Sequence, residues 1–230
     1  VVERTRSFFE KVTSHLLFVS KQESLRKKDY SRIEIDLRNL LHQSDYLVEL
    51  GLLNERGMET VKVSKYKGVT PPELRNRSRT EMFRVGSKGR TYYGDFDVTK
   101  DIIPTMVIAV PVEGDKEKPS GVLVAQIHLQ SVWEAVSEIR IGERGFAYVV
   151  DGDGMLISHP NVNRVLMKIN MRHLPMVNQV VSGREGVLEF EHPRGEKFLF
   201  VFKPIKELDW GVVVQVPVEE AYHPVRIVTH

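Results

Sequence analysis

Residues Gly142 to Pro160 read GERGFAYVVDGDGMLISHP. Phe146 to Val150 is a run of aromatic and β-branched residues, the composition of a half-buried strand. Asp151-Gly152-Asp153-Gly154 follows, residues that tolerate the left-handed backbone of a tight turn. Met155 to Ser158 is apolar again and closes at His159-Pro160. The segment predicts a β-hairpin. Its acidic turn lacks the third acidic position and the closing glutamate of an EF-hand, so it is a turn and not a calcium loop.

Downstream, His173 to Ser182 reads as a helix ended by Gly183, a residue suited to a left-handed cap. Three strands follow, Val187 to Glu191, Lys197 to Pro204 and Trp210 to Val216, and a last helix starts near Val218. Upstream, Ser131 with Glu134 forms a capping box for a short connecting helix carrying Val132, Val136 and Ile139.

The first half follows the same plan. Tyr46 to Leu53 and Met58 to Tyr66 are strands joined by Asn54-Glu55-Arg56-Gly57. Pro71 and Pro72 open a basic, helical stretch to Arg84, and strands run from Arg90 to Phe96, Thr105 to Val112 and Gly121 to Leu129. Met106 to Val112 (MVIAVPV) looks like Val212 to Val218 (VVVQVPV), which suggests a duplication of about 100 residues rather than a solenoid. Before it all, Val1 to Lys28 has no glycine or proline and repeats Phe9, Val12, Leu16 and Val19 at helical spacing. Ser31 with Glu34 caps a second helix whose stripe is Ile33, Leu37, Leu40 and Leu41. The fold class is α+β: two similar modules, each an antiparallel sheet of five to six strands with flanking helices, on a long N-terminal helix.

With these elements placed, the chain resembles the double Cache family, the tandem PAS-like sensors of bacterial histidine kinases and chemoreceptors. The hairpin Gly142 to Pro160 and the closing strand and helix Asp209 to Ala221 (DWGVVVQVPVEEA) carry the likeness. The resemblance implies a stalk helix over residues 1–28, a membrane-distal, ligand-binding module over 29–130 and a connecting helix over 131–140. A membrane-proximal module over 141–218 and the start of an exit helix over 219–230 complete the plan. It also implies flanking transmembrane helices outside this chain, a periplasmic or extracellular location on a bacterial inner-membrane protein, and a cytoplasmic output. That output is a histidine kinase, with a chemoreceptor or a cyclase as alternatives, and the alternative role for the domain itself is docking a periplasmic binding protein. The expected partners are a small-molecule ligand and a second copy, joined through the stripe of Phe9, Val12, Leu16 and Val19.

Amino-acid-binding members carry Arg-x-Trp-Tyr at the start of the third distal strand and an aspartate on its last strand. Here Arg90-Thr91-Tyr92-Tyr93 holds the first position and Gln126 the second. The resemblance thus implies Arg90, Tyr92, Tyr93 and Gln126 as ligand-binding residues. An arginine fork pairs with a carboxylate, but a neutral glutamine cannot neutralise an α-ammonium. The expected ligand is a small organic acid or a neutral polar molecule. His128, two residues on, reads as an ordinary strand histidine, and Arg75, Arg77, Arg79 and Arg84 as a solvated helix face.

Composition removes other classes. Lysine and arginine total 33 against 31 acidic residues, without the basic excess of a nucleic-acid binder. The absence of cysteine removes disulfides, thiolate metal sites and cysteine nucleophiles. His159 and His192 belong to no spaced ligand set, so no metal is expected. No nucleophile elbow, phosphate loop or His-Glu-x-x-His motif is present, so neither catalysis nor a cofactor is expected.

Overall fold

A computed structural model of the chain describes residues 1–68, 74–114 and 118–222. Pro71, Pro72 and most of the expected exit helix lie outside the described residues. The chain forms two compact units. One is Ser7–Gln130; the other joins Val1–Arg6 to the chain from Ser131 onward.

The N-terminal unit contains most of α1 (Val2–Ser20), then α2 (Glu23–Arg26), α3 (Tyr30–Gln43), β1 (Leu47–Asn54), β2 (Glu59–Ser64), α4 (Glu81–Gly86), β3 (Tyr92–Val98), β4 (Pro104–Val112) and β5 (Gly121–His128). Its strands form one antiparallel sheet in the order β2-β1-β5-β4-β3. One face is sealed. Leu50, Met106, Ile108, Val110, Leu123, Ala125 and Ile127 alternate onto it and are buried. Facing them are the buried stripes of α1 and of α3, which packs on β1 and β2. Burying each such side chain stabilises the fold by about 1.5–3 kcal/mol.

Three expectations change here. The N-terminal helix does not run unbroken to Lys28. It stops at Ser20, whose hydroxyl donates to the Leu17 carbonyl at 2.9 Å, and the chain turns to bury Leu25. The second helix starts two residues before the Ser31–Glu34 box: Asp29 is its cap and accepts from the Arg32 N–H at 3.2 Å. The stripe expected to join two copies is spent inside one chain, since Phe9, Val12, Leu16 and Val19 are all under 5% exposed. The outward side of α1 instead exposes Glu3, Arg4, Ser7, Glu10, Lys11 and Ser14, together with Phe18 near its end.

The C-terminal unit contains α5 (Gln130–Ser137) from Ser131 on, then β6 (Arg140–Ile141), β7 (Gly145–Val150), β8 (Leu156–Ser158), α6 (Val162–Leu166), α7 (Pro175–Val181), β9 (Gly186–Glu191), β10 (Lys197–Ile205), β11 (Trp210–Pro217) and α8 (Val218–Ala221). The sheet order is β6-β7-β11-β10-β9, with β8 on β7. α5 begins at Gln130, so Ser131 lies inside it rather than capping it. Sequence periodicity misses β6 and α6, which are too short to show a period. α8 is anchored by a local network: Glu220 accepts from the Glu143 and Arg144 N–H groups at 2.8 and 3.1 Å, beside Gly142 at φ 63°.

The duplication is real, but its register differs from the likeness of MVIAVPV to VVVQVPV. β4 is the last strand but one of its module and β11 the last of the other. The hairpin turns give the correct alignment. Asn54 and Asp151 each accept two backbone N–H groups, and each turn closes on a left-handed glycine, Gly57 at φ 75° and Gly154 at φ 84°. The isolated bridges Met58–Asn76 and Met155–Asn170 also correspond. β5 therefore matches β11, and Gln126 matches Gln215. Packing follows suit with the sizes exchanged. A side chain at Gly86 of α4 would meet Val122 at 2.7 Å, and one at Gly211 of β11 would meet Val180 of α7 at 2.5 Å.

Gly211→Val should cost about 1–3 kcal/mol by overpacking. Adding Val180→Gly, which recreates the N-terminal pairing, should recover part of that loss in a denaturant double-mutant cycle. Val12→Asp should abolish cooperative unfolding of the monomer, because it buries an unpaired charge.

Candidate functional site

The second face of the N-terminal sheet is closed differently. At one end Leu53, Ala109 and Val122 are buried, with Met82, Phe83, Tyr92 and Val124 packed on them. Met82 and Phe83 come from α4, a helix of six residues. Beyond that patch the face turns polar. Gln126 is half-buried and stands between Glu49 of β1 and Val107 of β4. Glu49 pairs with Lys62 of β2 at 2.8 Å, their side chains 23% and 13% exposed. Gly51 lies in register between Lys62 and Val124, and a side chain there would meet nothing closer than the Val61 carbonyl at 3.7 Å. A Cβ would fit there without displacing an atom.

The register separates the four expected ligand residues. Tyr92 pairs with Ala109 and lies on this open face. Burial and the nearby carboxylates of Asp95 and Glu81 raise its phenol pKa. Tyr93, one residue on, points to the sealed face. Its hydroxyl lies 3.0 Å from the Thr13 hydroxyl of α1, and its ring meets Phe9 edge-on. Arg90 is exposed in the loop before β3 and makes no ion pair among the described residues. The fold thus gathers Tyr92 and Gln126 on one face, puts Arg90 in the loop leading into β3, and gives Tyr93 to the helix side. Glu49 and Lys62 are additions. Single charges inside the strands Leu47–Asn54 and Glu59–Ser64 are the sequence signal that could have found them.

The basic cluster is also not a solvated helix face. Leu74 to Thr80 is irregular and the helix is only Glu81–Gly86. Arg77 Nε donates to Glu59 at 3.0 Å, and the Arg75 N–H donates to the same carboxylate at 2.8 Å. Glu59 is buried, so these bonds offset its desolvation. His128 Nε2 contacts the Asp45 carbonyl, which fits its reading as a strand residue. Among the described residues no cluster of metal-ligating side chains forms.

In the C-terminal unit His159 is buried and edge-on to Phe146. Its Nδ1 accepts from the Asn161 N–H at 2.9 Å. Burial, with the Arg164 guanidinium nearby, pushes its pKa down to about 4.

The family model described as "Cache domain" matches residues 4–225. Among characterised proteins, the methyl-accepting chemotaxis protein PctB of Pseudomonas aeruginosa is 27% identical over 46% of this chain and 16% of its own length. The chain matches less than a quarter of the length of such relatives. Two solved structures share the fold. The extracellular domain of the histidine kinase mmHK1S-Z2 superposes with a TM-score of 0.75 at 16% identity, covering 93% of both chains. The ligand-binding domain of the P. aeruginosa chemoreceptor PctC, in complex with GABA, does so with a TM-score of 0.72 at 16% identity, covering 94% of both. No described helix is long and apolar enough to cross a membrane.

Arg77→Ala should destabilise the fold by about 1–3 kcal/mol, leaving Glu59 buried without its cation. A second expectation concerns pH. His159 titrates near 6.5 when unfolded and near 4 when folded. Its contribution is therefore complete above pH 6.5 and is lost as the pH falls from there toward 4. Unfolding free energies across that window should fall by on the order of 2 kcal/mol, and His159→Gln should flatten the dependence.

Proposed function

The chain belongs to the Cache domain family of extracellular sensor domains, and from that premise we propose that its N-terminal unit is the membrane-distal ligand module of a transmembrane receptor. The ligand is a small organic acid or a small neutral polar molecule, and the output is a histidine kinase or a chemoreceptor. The observation that carries the reading is the asymmetry of the N-terminal sheet. One face is sealed by α1 and α3, and the other keeps room at Gly51 beside Gln126 and the Glu49–Lys62 pair. Pockets of this kind, apolar with a few placed polar groups, hold small molecules.

The polar groups also narrow the ligand. Glu49 is already neutralised by Lys62, and Gln126 carries no charge, so the position that holds an aspartate in amino-acid-binding members offers no carboxylate to an α-ammonium here. Arg90 supplies a fork for a carboxylate at the loop entering β3. PctC was solved with GABA, and this lining departs from what an ammonium needs.

Signalling requires that ligand favour one conformation over another. β3 offers the link. Tyr92 lies on the ligand side and its neighbour Tyr93 holds α1 through Thr13 and Phe9. A ligand that moves β3 therefore moves the helix packed behind it, on the ~1–2 Å scale common for such switches.

A thermal-shift screen of organic acids, sugars, amines and amino acids tests this. One carboxylate or neutral polar compound, at about a hundredfold over its Kd, should raise Tm by about 5–10 °C. Gly51→Leu should fill the space and abolish the shift while the protein stays folded, and Arg90→Ala should abolish any shift given by a carboxylate. Tight binding of a plain α-amino acid, or a shift untouched by Gly51→Leu, would overturn the assignment.

A further inference from the structure

The C-terminal sheet also has an incompletely filled face, and there it forms a cavity of about 300 Å³. Its lining includes Phe146 of β7, Phe190 of β9, Phe198 and Phe200 of β10, Gln215 of β11 and Arg164 of α6. Phe146, Phe190 and Phe198 are only half-buried, so their rings are not used up in the core. Gln215 stands between Phe146 and Phe200 in register, the position that Gln126 holds in the other module.

Arg164 is the group that demands explanation. It is half-buried and makes no ion pair among the described residues. Its nearest polar neighbours are poor acceptors. Nη2 lies 3.8 Å from the Met171 sulfur, and Nη1 lies 3.5 Å from His159 Nε2. His159 Nδ1 already accepts a backbone N–H, so a neutral imidazole carries its proton on Nε2, facing the guanidinium. The one carboxylate in the lining, Glu196, lies 3.5 Å from Arg144 instead. A guanidinium turned to an aromatic cavity without a counter-ion is costly unless an anion comes to it.

We propose that this cavity is a second ligand site, which takes a small monocarboxylate with an apolar, planar body. The carboxylate pairs with Arg164, and the body packs among the phenyl rings with Gln215 at its edge. The site is independent of the one in the N-terminal unit and uses none of its residues.

Calorimetric titration of the chain with benzoate, and with the neutral isostere benzamide, tests the proposal. Benzoate should bind, and benzamide should bind at least about tenfold more weakly. Arg164→Gln should weaken benzoate by a similar factor, whereas Arg90→Ala should leave it unchanged. If Arg164→Gln does not fold, the benzoate to benzamide ratio alone decides. Three results would overturn the site: no benzoate binding up to roughly 10 mM, equal binding of benzamide, or benzoate binding lost in Arg90→Ala. The last would place benzoate in the N-terminal unit and leave the proposed function there standing.

Discussion

An antiparallel sheet has two faces, and in the N-terminal unit the longer helices α1 and α3 cover only one of them. The fourteen-residue α3 and the stripe of α1 seal that face with residues under 9% exposed. Among the described residues, the other face receives the short α4 and irregular chain. Polar groups such as Gln126 and Glu49 persist on it because they are not fully desolvated, and Glu49 has Lys62 in reach. A sheet sealed on both faces would have no place for a ligand.

The two modules show how one scaffold carries different chemistry. Backbone contacts align them residue by residue. The Glu59 N–H donates to the Arg75 carbonyl at 3.0 Å, as that of Leu156 does to Ile169; the Arg77 N–H donates to Gly57 at 2.7 Å, as that of Met171 does to Gly154. At the matched positions the side chains differ. Buried Glu59 pairs with the half-buried Arg77 where the other unit has Leu156 and Met171. Glu49 and Val107 flank Gln126, where Phe146 and Phe200 flank Gln215. Backbone hydrogen bonds hold the fold constant while the lining changes, so function resides in the lining.

Much of this was legible in the sequence because its signals are local. The hairpin turns at Asn54 and Asp151, the cap at Gly183 and the alternation of the strands all depend on neighbours in the chain. What failed depends on contacts distant in sequence. A buried stripe on α1 looks the same whether its partner is a second copy or its own sheet, and here it is Tyr93 and the strands around it. The likeness of MVIAVPV to VVVQVPV reflected shared strand composition and not shared position. Tyr92 and Tyr93 could not be told apart before the bulge between Tyr93 and Phe96 and the pairing with β4 set their faces. Arg164 carried no motif, and only the arrangement of His159, Met171 and the phenyl rings around it marks it out.

The central claim is that the incompletely covered sheet faces, and not the sealed ones, receive small molecules. Amide hydrogen exchange tests it directly, measured with and without a pooled panel of organic acids, sugars, amines and amino acids. Ligand should add protection along Arg90–Val98 and Gly121–His128, or along the strands bearing Phe146, Phe198 and Gln215. Unchanged exchange in both sheets, or protection confined to the outer surface of α1, would contradict it.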